Sequence, residues 1–329
     1  MDDRFETLAE LLRGHRVIIQ THDFPDPDAI ATACGLWELL KWQGIESRIC
    51  YYGRIEKTNT KMAASILDIP IYNAEELTDV TEEDYVVTVD GQKDNSNFTD
   101  LKGTEVACID HHPYVTSYQY RFLKHQIVGA CASLITGWVI DTGMPISQEL
   151  ATLLLYGIKM DTRNFSAGVT HVDIKAFDFL IEKADMSRIY RLENSALDLS
   201  DLRAYGAAIE NIAIYETVGF AYIPFECPDG LIASVSEFIL SLSSVRISVV
   251  YANRSGGLKF SVRSENSKIN AGRLLHTALK EIGNGGGHAT MAGGIVYPEY
   301  MRQFGDRHQT ETIIRNRIMQ IYRVMMEDS

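Results

Sequence analysis

Thr21-His22-Asp23-Phe24-Pro25-Asp26-Pro27-Asp28 follows directly on the apolar run Val17-Ile18-Ile19-Gln20 and leads into a helical pattern that continues to Trp42. The run reads as a short buried strand. In the helix, Ala29, Ala33, Leu36, Leu39 and Leu40 fall on one inner face. Asp26 can cap the helix that Pro27 begins, because proline is preorganised for the first helical position. Asp28 sits in the first turn, where the helix dipole favours negative charge. Two carboxylates two residues apart can face two neighbouring cations. Read alone, they are equally a pair of acidic caps on a solvated turn.

The same arrangement recurs twice. Tyr85-Val-Val-Thr-Val89 is a strand that ends at Asp90, and Glu105-Val-Ala-Cys-Ile109 is one that ends at Asp110-His111-His112. Strands alternating with helices predict an α/β fold: a parallel-sheet N-terminal domain with helices on both faces. In such sheets ligands bind outside the carboxyl ends of the strands, near the switch point. Asp161 follows the helix predicted over Gln148 to Met160 and can reach the same edge. Adjacent histidines face apart, so one of the pair can meet a metal and the other a substrate; alone, they are as readily a surface pair. Imidazole and carboxylate in these proportions suit manganese or a related cation. The absence of thiolates argues against structural zinc.

Bulk properties narrow the partners. The 329 residues suit two domains, and 46% hydrophobic content excludes wholesale disorder. Thirty-one basic against 44 acidic residues gives a net charge of -13. That charge disfavours long duplex nucleic acid and favours metal cations with small phosphorylated ligands. The 5 cysteines form no C-x-x-C pair and read as reduced thiols of a cytoplasmic protein. The N-terminus lacks a signal-peptide core, and the longest apolar run, Val128 to Ile140, is too short for a bilayer, so no membrane association is expected.

A polar helical stretch from Asp185 to Ile212 separates this pattern from a different one. The expected division is residues 1–184, a helical connector over 185–214, and a smaller α/β domain over 215–329. Strands are predicted at Glu216 to Pro224, Arg246 to Arg254 and Gly257 to Arg263, with a hairpin at Ser255-Gly256-Gly257. A helix follows over Asn270 to Ile282. Gly285-Gly286-Gly287-His288 would let backbone amides approach an anion, with His288 beside it; a glycine cap and loop is the plainer reading. Arg263, next to Ser264, ends a strand where a guanidinium can grip phosphate or simply be solvated.

In this order, His22-x-x-x-Asp26-x-Asp28, Asp90, Asp110-His111-His112 and Asp161 resemble the four motifs of the DHH phosphoesterase superfamily. Arg263-Ser264 and Gly285-Gly286-Gly287-His288 resemble its DHH-associated C-terminal domain. The likeness runs over nearly the whole chain and is greatest to the short, two-domain branch of nano-RNases, or oligoribonucleases. It implies two manganese ions, with magnesium or cobalt as candidate substitutes. One would take His22, Asp26 and Asp90, the other Asp28, Asp90, His111 and Asp161, with Asp90 bridging. His112 would face substrate, Asp110 would support it, and Arg263, Ser264 and the Gly285–His288 segment would bind substrate. One departure stands out: the superfamily commonly has Asn-Pro-Asp-Gly-Asp in the first motif, where this chain has Phe24-Pro25-Asp26-Pro27-Asp28.

The activity so implied is two-metal hydrolysis of very short linear oligonucleotides, dinucleotides such as pGpG or pApA, to mononucleotides. The alternatives are a 3′-phosphatase of adenosine 3′,5′-bisphosphate (pAp), a cyclic-dinucleotide phosphodiesterase and, from another class, an inactive nucleotide-binding regulatory module. Short linear nucleotides are the expected partners, and a homodimer is an allowed assembly.

Overall fold

The computed structural model describes residues 3–55, 58–194, 199–303 and 307–327. The chain forms two compact units, Met1–Ala196 and Leu197–Ser329. In the first, six strands build one sheet: β1 (Val17–Thr21), β2 (Ser47–Tyr51), β3 (Ile71–Asn73), β4 (Tyr85–Val89), β5 (Thr104–Asp110) and β6 (Phe122–His125). Every pairing is parallel, in the order β3-β2-β1-β4-β5-β6. The chain moves outward from β1 to β3, then returns to the other side of β1 with β4. That reversal is the switch point at which open α/β sheets part their loops to form a crevice. Register does the rest. Thr21 pairs with Val89 and Val89 with Ile109, so the residues that follow leave the sheet side by side.

Among the described residues this unit has seven α-helices: α1 (Phe5–Leu12), α2 (Pro27–Trp42), α3 (Thr58–Ala64), α4 (Cys131–Thr142), α5 (Gln148–Asp161), α6 (His171–Ile181) and α7 (Met186–Asn194). They share one core with Val17, Ile19, Ile49, Val87 and Ile109 from one face of the sheet. The opposite face carries a smaller cluster in which Ile18, Cys50 and Val86 meet Ala74, Val80 and Leu101. Among the described residues, the helix covering that face is the 3-10 turn Ala74–Glu76, since the connections after β4 and β5 contain no helix. The short edge strands β3 and β6 have no counterpart in the sequence reading. β3 is three half-buried residues, too brief for a period to show.

The second unit adds α8 (Leu202–Glu210), β7 (Ala213–Tyr215), β8 (Val218–Glu226), α9 (Asp229–Leu240), β9 (Ile247–Arg254) and β10 (Gly257–Ser264). It continues with α10 (Ala271–Leu279), β11 (Gly283–Gly287), β12 (Met291–Val296), α11 (Pro298–Gln303) and α12 (Arg307–Glu327). Its sheet, ordered β11-β12-β10-β9-β8-β7, is antiparallel except for β8 and β9, which α9 connects as a crossover. The expected hairpin is there: Ser255 and Gly256 have φ of 50° and 79°, the two positive values that a two-residue primed turn requires. The stretch read as a connector is shared out between the units. Ile189 and Leu192 of α7 are buried in the first core, while Ala204 and Ala208 of α8 pack in a cluster with β8 and α9. No helix among the described residues is long and apolar enough to cross a membrane.

Leu36 is fully buried on α2, at the centre of the first core. Replacing it with alanine should cost the first unit about 2–5 kcal/mol. Urea unfolding followed by circular dichroism measures this, and a loss below about 0.5 kcal/mol, the range of surface substitutions, would contradict the assignment of the core.

Candidate metal centre

The carboxyl ends of β1, β4 and β5 bring His22, Asp90 and Asp110 together, and each is then fixed by its own local chemistry. Asp26 is extended (φ -96°, ψ -177°), as both an N-cap and a residue before proline must be. One of its oxygens, Oδ1, accepts from the amides of Asp28 (2.9 Å) and Ala29 (3.1 Å). Asp28 is turned inward from the first turn of α2 and is 1% exposed. Its Oδ2 accepts from Cys131 N (2.7 Å) and its Oδ1 from Ala132 N (3.0 Å). It therefore supplies the acceptor that α4 lacks, since Ala130, at the N-cap of that helix, has no side chain to offer. The close approach of α5 depends on Gly157, whose missing Cβ would stand 3.2 Å from the Asp28 Cα.

Ring orientation follows from backbone carbonyls. His111 Nδ1 lies 2.9 Å from Val128 O and His22 Nδ1 lies 2.8 Å from Asp23 O, so each Nδ1 donates its proton and each Nε2 turns its lone pair the other way. Three sets of atoms converge, each within 4.8 Å: His22, Asp26 and Asp90; Asp28, His111 and Asp161; and Asp90, His111 and His112. His111 Nε2 is 3.3 Å from both Asp90 Oδ1 and Asp161 Oδ2. Even so, Asp90 Oδ1 and His111 Nε2 are buried with no hydrogen-bond partner. Such atoms are costly unless something coordinates them.

The electrostatics point the same way. Burial, then the charges of Asp90 and Asp161, push Asp28 well above the usual carboxylate range. Burial, then Asp90, hold Asp161 at about 6. Burial opposes a charge on His111, but Asp90, Asp28 and Asp161 around it outweigh this and raise it to about 11. Burial opposes a charge on Asp90 as well, but the hydrogen bond and charge of His111, with His22 and His112, hold it down at about 2, so the mutual strain falls on Asp28 and Asp161. This donor set fits divalent cations.

Asp110 does not join the cluster directly. Fully buried, it accepts at Oδ1 from the amides of His111 and His112 and lies 2.8 Å from His112 Nδ1, while Oδ2 accepts from Gln92 Nε2 at 2.7 Å. The Asp110 contact raises the His112 pKa and engages Nδ1 of the half-exposed ring, leaving Nε2 as its other nitrogen. Three features escaped the sequence reading: Gln92, the Val128 carbonyl and the capping of α4 by Asp28. Only the last had a signal, a clear helix start at Cys131 with no Ser, Thr, Asp or Asn before it.

In the second unit, Arg263, Gly287 and His288 line a cavity of about 380 Å³ together with Lys259. Ser264, Gly285 and Gly286 do not line it. The Ser264 hydroxyl is buried and donates to Asn266 O and Ile269 O. The triple glycine is not a loop: it is the edge strand β11, paired with β12. Gly285 lies close under the Leu275 carbonyl of α10, where a Cβ would stand 3.0 Å from that oxygen. A larger cavity of about 780 Å³ opens at the amino ends of β1 and β2, lined by His15, Arg16, Lys41 and Arg48 among others. Its two arginines are already paired with Asp79 and Asp84, and it lies at the wrong end of the strands for the cluster.

Residues 16–158 match the model of the DHH family N-terminal domain, and residues 215–308 match that of the DHHA1 domain. The chain carries a DHH family N-terminal domain followed by a DHHA1 domain. It is 26% identical over 318 residues to an uncharacterized protein of Methanocaldococcus jannaschii, covering 95% of this chain but only 65% of that protein. A probable bifunctional oligoribonuclease and PAP phosphatase of Streptococcus mutans is 23% identical over 313 residues, 89% of this chain and 94% of that one. Among solved structures, an exopolyphosphatase-related protein from Bacteroides fragilis shares the fold with a TM-score of 0.77 at 21% identity, covering 98% and 96% of the two chains.

Neutralising one carboxylate should relieve the crowding and weaken the cation site together. With a chelator present, Asp161→Asn is expected to melt about 2–6 °C above the wild type. Added manganese should then stabilise it less than it stabilises the wild type. Lower melting in chelator, or an undiminished gain from manganese, would count against the cluster as a cation site.

Proposed function

We propose that this chain is a metal-dependent phosphodiesterase that hydrolyses very short linear oligonucleotides to mononucleotides. One observation carries the reading: six donors from four separate segments meet around buried atoms that no protein group satisfies. His22, Asp26 and Asp90 would hold one ion, and Asp28, Asp90, His111 and Asp161 the other. Manganese suits this mixture of imidazole and carboxylate. Held there, such ions supply Lewis-acid charge to the phosphoryl oxygens and to the attacking water.

The chain's own groups do the positioning. The Val128 and Asp23 carbonyls fix the two imidazoles, and the α4 amides fix Asp28. Water attacks phosphorus, the bond from phosphorus to the 3′-oxygen breaks, and the leaving oxygen takes a proton. His112 Nε2 is suited to give it, because Asp110 engages Nδ1 and favours the protonated ring. Arg263, Lys259 and His288 line one cavity of the second unit, where a substrate phosphate would compete for the two cations with Glu237 and Asp229, which pair with Arg263 at 3.3 Å and Lys259 at 2.8 Å. The Streptococcus mutans relative, named for both oligoribonuclease and PAP phosphatase activity, supports this class of substrate and also the 3′,5′-bisphosphate as an alternative. A binding module without activity is disfavoured by the complete donor set.

Initial rates on pApA, pGpG, a cyclic dinucleotide, adenosine 3′,5′-bisphosphate and a 20-nucleotide single strand, with manganese and with chelator, test the proposal. Linear dinucleotides should react fastest, chelator should stop the reaction, and Asp90→Ala should lower the rate by at least about a thousandfold, a loss of roughly 4 kcal/mol. Normal turnover by Asp90→Ala sinks the mechanism, and faster release of phosphate from the bisphosphate sinks the substrate assignment.

A further inference from the structure

Phe24 stands two residues from His22 and two from Asp26, so chain geometry keeps its Cα within about 7 Å of each of theirs. Its side chain is 60% exposed. A single exposed aromatic residue is ordinary, but this one is held in place at a cost. Its φ is 55°, in the left-handed region that bulky residues avoid. Its own amide and the one before it are pinned: Asp23 N donates to Asn97 O (2.7 Å) and Phe24 N to Tyr52 O (2.9 Å). Beneath the ring lies Gly53, where a Cβ would stand 2.7 Å from Cε1, 2.8 Å from Cδ1 and 3.0 Å from Cγ of Phe24. Gly53 is itself anchored by Asn73 Nδ2, which donates to its carbonyl at 2.9 Å. The backbone thus takes up a strained turn, and the ring packs on Gly53, whose own φ of 82° also calls for glycine, so that a flat apolar ring stays exposed on the loop that carries His22 and Asp26. Strain of this kind persists where surrounding structure over-determines it, and it gathers at functional sites.

We propose that Phe24 is a stacking platform for the nucleobase next to the reacting phosphate, making it a specificity-determining residue that selects nucleotide esters over base-free phosphates. The inference rests on the phosphodiesterase reading and adds to it the means by which the base is held. A ring supported on one side by backbone loses little freedom when a base covers the other. Stacking of this kind tolerates any base, since each has a π-face. Phe24 acts on binding, not on the chemistry.

The test compares Phe24→Ala, Phe24→Leu and Phe24→Trp with the wild type on pApA and on the corresponding base-free dinucleotide phosphodiester, all with manganese. Phe24→Ala and Phe24→Leu should raise KM for pApA by about 5- to 150-fold, the span of one lost stack, with kcat and the base-free substrate changed less than about twofold. Phe24→Trp should keep the wild-type KM. In that variant, AMP should quench an added component of indole emission that ribose 5-phosphate leaves intact. Full activity in Phe24→Leu, which still fills the space over Gly53, or an equal loss on both substrates, would make the ring mere packing and overturn the inference. A wild type that is active on pApA with all variants unchanged overturns this inference alone. A wild type inactive on every base-bearing substrate overturns it together with the proposed function.

Discussion

Mutual repulsion among buried carboxylates governs the carboxyl edge of the first sheet. Asp28 and Asp90 are almost wholly buried, and Asp26 and Asp161 stand close by. At an effective dielectric of about 20, two like charges 4 Å apart cost roughly 4 kcal/mol. No fold would gather such groups for stability. The surrounding structure has to be strong enough to hold them, and the burial of α2 between the sheet and α5, through a largely apolar set of residues, supplies that strength. The same repulsion makes the edge a receptor for positive charge, since each added cation removes several unfavourable pairs at once.

How the groups are held explains why they converge without collapsing on one another. Asp28 gives both oxygens to the amides of α4, so its position follows that helix. Asp26 is tied at one oxygen by its own helix start, leaving the other free to face outward. His22 and His111 are set by carbonyls, and Asp90 leaves β4 with φ of 53°, turning its side chain back toward both. Each contact uses backbone groups that the fold leaves over at strand ends and helix starts. The site is therefore a by-product of where a parallel sheet terminates its elements, sharpened by the few side chains that sit there.

That origin also decides what the sequence could reveal. Strand ends announce themselves as an apolar run followed by an acid or histidine, and so His22, Asp26, Asp28, Asp90, Asp110, His111 and His112 were legible from local pattern. Asp161 was legible as a helix end. Groups that act through tertiary contact were not. Gln92 meets Asp110 across 18 positions of sequence, and its neighbours give it no periodic mark. Gly285-Gly286-Gly287 reads as a loop because flexibility and close packing call for the same residue; it is an edge strand, crowded by α10 at Gly285. Short edge strands such as β3 and β6 lack the length for alternation to emerge, and β6 carries the polar residues Lys124 and His125.

The loop Thr21–Asp28 shows how the two demands on this edge, order and access, are reconciled. Pro25 and Pro27 fix their own φ and bias the residues before them away from the helical region. For Asp26 that bias agrees with capping, and the residue is extended as both require. For Phe24 the constraint meets a left-handed φ, which only the hydrogen bond to Tyr52 and the open space at Gly53 make tenable. A loop so constrained has little conformational entropy left to lose, so ordering it on ligand binding costs little. Rigidity here comes from covalent restraint and backbone hydrogen bonds, not from side chains packed over the site. That is how the loop can stay ordered while leaving its ligand-bearing face uncovered.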